Sequence, residues 1–324
     1  MNALHAAPAV YDVTTQLLRD WPLPMPGCDG DKEERGHVLI LGGSREMPGA
    51  VILAATAALR AGAGKLTVAT GASVAQLVAL ALPEARVIGL AETDAGGFLP
   101  EAIARLDPLA DRVNAMLIGP GMQDEAAAAE LVHGLLERLQ GSEDGSKTAV
   151  VLDACAMGTL LHAPPGWAPG EAFRFGQPVI VTPHCGEMAH LTGIEKTDIV
   201  SGPDARALAS AAAWNAVVAL KGARTVIAAP QGDMWQHEGG NVGLAISGSG
   251  DTLAGIIAGL AARGATLEQA ACWGVALHAR AGERLAERMG VLGYLAREIA
   301  NEIPALLESI AGREADRADK TRKS

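Results

Sequence analysis

The feature that most constrains the fold is an alternation of short apolar runs with longer helical stretches. The runs are rich in β-branched residues, and helical patterns such as DEAAAAELVHGLLERL (124–139) separate them. The six runs are HVLIL (37–41), KLTVAT (65–70), RVIGL (86–90), AMLIG (115–119), AVVLDA (149–154) and PVIVTP (178–183). Strands that alternate with helices form a mostly parallel sheet with helices on both faces. The sequence therefore predicts an α/β fold with one main domain.

The C-terminal third departs from this alternation. WNAVVALKG (214–222) reads as a strand, and TVIAAPQGDMWQ (225–236) as a hairpin that turns at Gln231–Gly232. Two long helices follow, at 251–264 and 267–290. We divide the chain into a lead-in segment (1–35) with a short helix capped by Thr14 or Thr15, the domain (36–311), and a charged tail (312–324) predicted to be disordered.

Composition excludes several classes of protein. Hydrophobic residues make up 49% of the 324 positions but aromatic residues only 3%, so the core must be built from small and aliphatic side chains. The net charge of −11 argues against a nucleic-acid groove. No run of about 20 apolar residues predicts a membrane span, and no signal peptide is recognisable. The four cysteines form no C-x-x-C pair. We expect a cytoplasmic protein that binds neither nucleic acid nor membrane.

Five polar loops follow predicted strands and a sixth opens a helix, and all of them except DACA contain glycine. In an open parallel sheet, ligands bind beyond the carboxyl ends of the strands, so these loops predict a ligand site at one edge of the sheet. The loops are GGSREMPGA (42–50), GPGM (119–122), DACA (153–156), TPHCGE (182–187), KGART (221–225) and SGSGD (247–251).

The loop SGSGD differs from the other loops because a helix follows it, and this arrangement can bind an anion. The amides of Ser247, Gly248, Ser249 and Gly250 can converge on one point, and the dipole at the helix N-terminus favours an anion there. Asp251 either takes a proton from a hydroxyl that attacks phosphorus, or merely satisfies the helix terminus. These five residues alone leave both interpretations open.

The loops together resemble a known family. GHVLILGGSREMPGA, IGPGM, VLDACA, VIVTPHCGEMAHLTG, VVALKGARTVIAAPQG and SGSGDTLAGIIAGL occur in the order typical of ADP/ATP-dependent NAD(P)H-hydrate dehydratases, over residues 32–308. The resemblance implies a three-layer αβα, ribokinase-like fold. It implies that NADHX and NADPHX, the hydrated forms of the reduced nicotinamide cofactors, are dehydrated with ADP (or ATP) and Mg²⁺, yielding AMP and phosphate from ADP.

The resemblance also assigns roles to individual residues. Ala50, Gln123 and His184 would contact the hydrate, Asp251 would be the base, and Glu187 would bind Mg²⁺ through water. The residues that would bind the nucleotide are Lys221, Gly222, Ala223, Arg224, Thr225 and Gly250. The family habit of forming tetramers implies a homo-oligomer. The lead-in is too short for the epimerase domain that many bacterial relatives carry, so a separate epimerase would act beside this chain.

Some positions depart from the family pattern. Gln123 stands where glycine is usual, Cys155 where an acidic residue is usual and Cys185 where proline is usual. Ser247 and Ser249 replace glycine and threonine, and their hydroxyls would add phosphate contacts. Two other interpretations remain. One is a small-molecule kinase of the same fold, of the hydroxyethylthiazole or hydroxymethylpyrimidine kinase type, and the other is a nucleotide-binding protein without activity.

Overall fold

The computed structural model describes residues 9–27, 31–110, 112–140, 148–164, 173–177 and 179–312. Within them a single ten-stranded sheet forms the centre of the molecule. The strands are β1 (Val10–Asp12), β2 (His37–Leu41), β3 (Lys65–Gly71), β4 (Arg86–Leu90), β5 (Ala115–Ile118), β6 (Ala149–Leu152), β7 (Val179–Val181), β8 (Ala216–Leu220), β9 (Arg224–Ala228) and β10 (Met234–Glu238).

Eleven helices are seen in the described residues. They are α1 (Thr15–Asp20), α2 (Pro48–Arg60), α3 (Ala75–Ala81), α4 (Glu101–Ala110), α5 (Glu125–Gln140), α6 (Cys185–Thr192), α7 (Lys196–Ser201), α8 (Pro203–Trp214), α9 (Ser249–Ala262), α10 (Leu267–Met289) and α11 (Ala296–Ile310). One short 3₁₀ helix, Ala154–Leu160, follows β6, and another, Val242–Leu244, precedes α9. None of these helices is both long and apolar enough to cross a membrane.

The sheet order is β1-β10-β9-β8-β7-β6-β5-β2-β3-β4. All neighbouring strands are parallel except β8–β9 and β9–β10, which are antiparallel. The hairpin predicted at Gln231–Gly232 is confirmed, since β9 and β10 pair from Ala228↔Met234 to Arg224↔Glu238. Gly232 has φ +106, the left-handed conformation that such a turn requires.

Helices cover both faces of the sheet, so the three-layer αβα prediction is confirmed. One buried cluster contains residues of α2, α9, α10 and α11 with the strand residues that face them. The other contains residues of α4, α5 and α8 on the opposite face. Because consecutive strand residues point to opposite faces, Val38 and Ile40 belong to the first cluster and Leu39 and Leu41 to the second.

Small residues let α2 and α9 pack at very short range. A Cβ atom on Gly255 would lie 2.1 Å from the carbonyl oxygen of Ala54, and one on Gly259 would lie 2.5 Å from that of Ala58. Because the chain has few aromatic side chains, its helices pack through small residues with their backbones in contact. This contact fixes the N-terminus of α9 above the sheet.

The lead-in segment contributes to the same sheet. β1 pairs in parallel with β10, and Leu18 of α1 is completely buried. Thr14 caps α1, since its side chain accepts a hydrogen bond from the amide of Leu17. The boundary at residue 36 remains a sequence prediction. Most of the charged tail, residues 313–324, lies outside the described residues.

Candidate active site

Three neighbouring parallel strands bring polar side chains together at the carboxyl edge of the sheet. β6, β7 and β8 lie side by side, and Asp153, Thr182 and Lys221 each come directly after one of them. The Thr182 hydroxyl donates to Asp153 Oδ1 at 2.5 Å, and Lys221 Nζ donates to the same oxygen at 3.2 Å. The parallel register therefore produces a carboxylate–lysine pair at the predicted ligand edge.

Lys221 is surrounded by carboxylates. Its Nζ lies 3.7 Å from Glu187 Oε2, in addition to its bond with Asp153. Burial by itself lowers the pKa of Lys221, but the charges of Asp153, Glu187 and Asp251 outweigh it and raise that pKa. The Lys221 side chain is therefore expected to be positively charged at neutral pH. Its Nζ also lies 3.5 Å from the point where Gly250 would carry a Cβ atom, so lysine and glycine loop meet.

The loop SGSGD (247–251) leads into the N-terminus of α9, which has no side-chain cap. Gly248 is the N-cap residue of α9 with φ +88, and no side chain caps the helix. The first amides of a helix have no intrahelical partner, so that of Gly250 is available to an anion, while the Asp251 amide hydrogen-bonds its own carboxylate. Leu53 and Ala296 crowd Gly248, which leaves no room for a side chain there.

The two serines of this loop differ in environment. Ser247 is exposed, whereas Ser249 is buried and its hydroxyl lies 3.0 Å from His278 Nε2 on α10. The prediction that the Ser249 hydroxyl adds a phosphate contact is therefore wrong, because the first turn of α9 directs it into the helix layer. His278 is a buried core residue whose Nε2 lies within hydrogen-bond distance of the Ser249 hydroxyl and carbonyl oxygens, and burial lowers its pKa to about 4.

Asp251 occupies the third position of α9, not the N-cap. Burial raises its pKa to about 6, the negative charges of Asp153 and Glu187 add to the shift, and Lys221 opposes it. A carboxylate with a pKa in this range accepts a proton near neutral pH more readily than an ordinary aspartate. The assignment of Asp251 as the base stays a prediction, which this raised pKa supports.

His184 and Glu187 form a reciprocal cap on α6. His184 Nδ1 accepts hydrogen bonds from the amides of Gly186 (2.9 Å) and Glu187 (3.0 Å), and Glu187 Oε2 accepts from the His184 amide (2.7 Å). Because Nδ1 is an acceptor, the proton is assigned to Nε2, and the side chain is 59% exposed. His184 thus offers a donor to a ligand at the mouth of the site.

Two of the three predicted hydrate-side residues, Ala50 and Gln123, lie on the loops that follow β2 and β5. A Cβ atom on Gly121 would lie 2.9 Å from that of Ala50, in the first turn of α2. Gln123 is exposed and donates through Nε2 to Glu46 Oε2 at 3.0 Å. Gln123 therefore extends across the opening between the β2–α2 and β5–α5 loops. A glycine at this position would leave that opening empty.

The predicted nucleotide residues do not all face the anion site. Lys221 reaches Gly250, whereas the Arg224 guanidinium binds Asp204 Oδ1 of α8 at 2.8 Å and the Gln236 side chain of β10. Gly222 and Ala223 form the exposed turn between β8 and β9, and Thr225 lies half-buried on β9. The Arg224 side chain is thus engaged within the protein.

The two unusual cysteines lie at the same edge, one after β6 and the other at the start of α6. Burial raises the pKa of Cys155 to about 11, and Glu125 and Asp124 add to the shift, so its thiol is protonated at neutral pH. Cys185 Sγ lies 3.8 Å from the Lys221 carbonyl oxygen.

Sequence reasoning missed Asp153 and Thr182 as site residues. Asp153 is only 3% exposed and contacts Lys221, and both residues directly follow adjacent strands. The available signal was position, because an acidic residue directly after a buried parallel strand lies at the ligand edge.

The layered fold and the lysine–carboxylate cluster beneath an open helix N-terminus define an enzyme of the ribokinase-like class. A family model described as NAD(P)H-hydrate dehydratase matches residues 38–305. The chain belongs to this NAD(P)H-hydrate dehydratase family. A relative from Xanthomonas campestris pv. campestris, named ADP-dependent (S)-NAD(P)H-hydrate dehydratase, is 48% identical over 94% of this chain and 98% of its own length.

Two further comparisons agree with this assignment. The Moorella thermoacetica protein named bifunctional NAD(P)H-hydrate repair enzyme Nnr is 39% identical over 89% of this chain, which spans only 52% of that protein. The crystal structure of the ADP/ATP-dependent NAD(P)H-hydrate dehydratase from Bacillus subtilis, co-crystallised with ATP/Mg²⁺, has a TM-score of 0.76 and 30% identity. That match covers 95% of this chain and 100% of the other.

Proposed function

We propose that this chain catalyses the ADP-dependent dehydration of (S)-NADHX and (S)-NADPHX to NADH and NADPH, with release of AMP and phosphate. The observation that carries the proposal is the meeting of Lys221 Nζ, the amides that open α9 and Asp251 at one end of the sheet. A cation, open amides and a base are what transfer of a phosphoryl group to a hydroxyl requires.

The chemistry proceeds in two balanced stages. Asp251 takes the proton of the ring hydroxyl as its oxygen attacks the terminal phosphorus of ADP, and the bond to the bridging oxygen breaks and releases AMP. The ring nitrogen then expels the phosphate ester as inorganic phosphate, and loss of a proton from the adjacent carbon restores the ring double bond. Hydroxide is a poor leaving group and phosphate a good one, so phosphorylation makes the elimination possible.

The residues divide into two half-sites in this proposal. Ala50, Gln123 and His184 contact the hydrate, and His184 offers its Nε2 proton as a donor. Lys221 and the amides of Ser247, Gly248 and Gly250 hold the phosphates, since the Ser249 amide donates to the Ile246 carbonyl, while Gly222, Ala223 and Thr225 line the adenosine side. Because Arg224 forms an ion pair with Asp204, we propose that it stabilises the turn between β8 and β9.

The carboxylates present fit a magnesium ion bound mainly through water and phosphate. Mg²⁺ retains several waters and takes only one or two protein carboxylates in nucleotide sites. Glu187 is 26% exposed and lies beside Lys221 at the phosphate end, so it would hold the ion. When bound, the ion neutralises charge on the nucleotide phosphates.

The direct test is incubation of the protein with NADHX, Mg²⁺ and either ADP or ATP, following the recovery of NADH absorbance. We expect recovery that depends on the nucleotide, with ADP preferred and AMP and phosphate formed in equal amounts. Absence of NADH recovery with both nucleotides would contradict the proposal. Phosphorylation of hydroxyethylthiazole or hydroxymethylpyrimidine in its place would favour the kinase alternative.

Lys221→Ala is expected to raise the KM for ADP more than the KM for NADHX. The lysine supplies the ammonium nearest the anion site, whereas Ala50 and Gln123 belong to the β2–α2 and β5–α5 side of the site. Initial rates with each substrate varied in turn measure the two constants. A rise confined to the KM for NADHX would reverse the assignment of the half-sites.

Turnover at saturating substrates is expected to fall as the pH is lowered through about 6, the pKa to which burial raises Asp251. The base must be ionised, so activity is complete above this pKa and is lost below it. The terminal phosphate of ADP titrates near the same pH, so ADP binding measured across the range serves as the control. A flat profile between pH 5 and 8 would contradict the assignment of the base.

We also propose that the chain forms a homo-oligomer, with a tetramer favoured, and that it acts in the cytoplasm beside a separate epimerase. Trp273, Val275 and Ala276 of α10 lie in the core of the chain itself and are not available to a second copy, so the proposal rests on the resemblance to the family. Light scattering at micromolar concentration is expected to give a multiple of the 33.1 kDa chain mass. A monomer mass would contradict the proposal.

A further inference from the structure

We propose that Asp153 is a positioning residue, whose carboxylate, held by Thr182, fixes the Lys221 ammonium against the anion site at Gly250. This inference rests on the proposed function in one respect, the role of Lys221 in holding the nucleotide phosphates. Asp153 acts through Lys221 and touches neither substrate.

The three residues are placed by the register of the sheet. Leu152 pairs with Val181, so Asp153 and Thr182 stand side by side, whereas Lys221 lies level with His184, two residues further along, and its side chain reaches back to Asp153. The backbone is held at both residues: the Asp153 amide donates to the Ile118 carbonyl, and the Lys221 amide donates to the Pro183 carbonyl. These bonds fix the backbone from which the Asp153 and Lys221 side chains extend.

The backbone around Asp153 is unusually constrained. Ala154 has φ +47, a left-handed conformation that costs a non-glycine residue free energy. A Cβ atom on Gly119 would lie 1.8 Å from the Asp153 carbonyl oxygen, so only glycine fits opposite. Surrounding structure must hold such a conformation in place, and here its effect is to hold the Asp153 carboxylate beneath Lys221.

The hydrogen-bonding capacity of Lys221 is only partly used inside the protein. An ammonium has three donors, and Asp153 Oδ1 engages one of them at 3.2 Å. Glu187 Oε2 at 3.7 Å attracts the charge without a hydrogen bond of normal length. With Nζ only 3.5 Å from the Cβ position of Gly250, the remaining donors lie within reach of a phosphate at the N-terminus of α9.

A purely structural role makes a different prediction. A buried ion pair contributes little net stability when both partners are replaced, because desolvation offsets the attraction. If Asp153 serves only the fold, its effect on nucleotide binding must be independent of Lys221. If it positions Lys221, its effect must disappear once the lysine is gone.

A double-mutant cycle separates these roles. Asp153→Asn keeps the shape of the side chain and removes its charge, and Lys221→Met keeps the aliphatic stem. We expect each single variant to bind ADP at least about fivefold more weakly by titration calorimetry with Mg²⁺, and the double variant to bind no more weakly than Lys221→Met alone. Effects that multiply to within about twofold in the double variant would overturn the proposal.

Two further variants serve as a control and as a substitute in this experiment. Glu33→Gln breaks an exposed lysine–carboxylate pair at the opposite edge of the sheet, Lys65 to Glu33 at 2.7 Å, and should leave ADP binding unchanged. Lys221→Gln, which keeps a donor for Asp153, replaces Lys221→Met in the cycle if the latter does not fold. Circular dichroism and the Tm verify folding in every case.

The readout separates this inference from the proposed function. Calorimetry measures nucleotide binding without hydrate chemistry, so the cycle is informative even if no NADH is regenerated. If NADH is regenerated and the cycle is additive, only the positioning role fails. If both hold, Asp153→Asn should raise the KM for ADP by a similar factor of about five and leave the KM for NADHX unchanged.

Discussion

Replacement of Asp251 by Asn is expected to lower kcat by about 10²- to 10⁴-fold, the loss typical of a missing general base. Asn preserves the size of the side chain at the third position of α9 and removes its basicity. The amides of the helix N-terminus are backbone groups, so ADP affinity should change little. Recovery of NADH absorbance measures the rate, and calorimetry measures the affinity.

Asp198→Asn is the matched control for this experiment. Asp198 also lies in the first turn of a helix, α7, but it is exposed and lies outside the cluster around Lys221. Its replacement should leave the rate unchanged. A rate within a few-fold of wild type for Asp251→Asn would reduce Asp251 to a residue that merely stabilises a helix terminus.

Gly255→Ala is expected to destabilise the protein by about 2–3 kcal/mol, the cost of an overpacked contact. The added Cβ would lie 2.1 Å from the Ala54 carbonyl oxygen, so α2 and α9 must separate. In an exposed helix the same change would stabilise by about 1 kcal/mol, because alanine has the higher helix propensity. Chemical unfolding followed by circular dichroism measures the difference.

Gly49→Ala provides the comparison on the partner helix. No atom lies within 4 Å of the Cβ position of Gly49 in the first turn of α2, so stability should stay the same or rise slightly. Equal stability of the Gly255→Ala and wild-type proteins would show that the two helices are free to adjust. Since Asp251 lies one helical turn before Gly255, a separation of the helices should also lower turnover.

The order of strands and helices was readable from sequence because it depends on local patterns. The runs HVLIL and AVVLDA are strands β2 and β6, and the hairpin at Gln231–Gly232 forms as predicted. Residues 10–20 were harder to place. Strand β1 has only three residues, and its partner β10 lies more than 220 positions away, so no local pattern reveals the pairing.

Within the site, sequence determined which loops carry the chemistry, and tertiary structure decided what each side chain does there. The motif SGSGD and the position of Asp251 in a helix are properties of consecutive residues and were predicted directly. The partners of Asp251 are not: Asp153 and Lys221 follow different strands and meet only because β6, β7 and β8 are adjacent and in register. The same holds for Arg224, which the structure pairs with Asp204, and for Ser249, whose hydroxyl contacts His278.

Burial and charge raise the Asp251 pKa to about 6, and both depend on atoms distant in the chain. Sequence therefore determined the class of chemistry through local motifs, while the base strength of Asp251 and the direction of each polar side chain were decided by long-range packing.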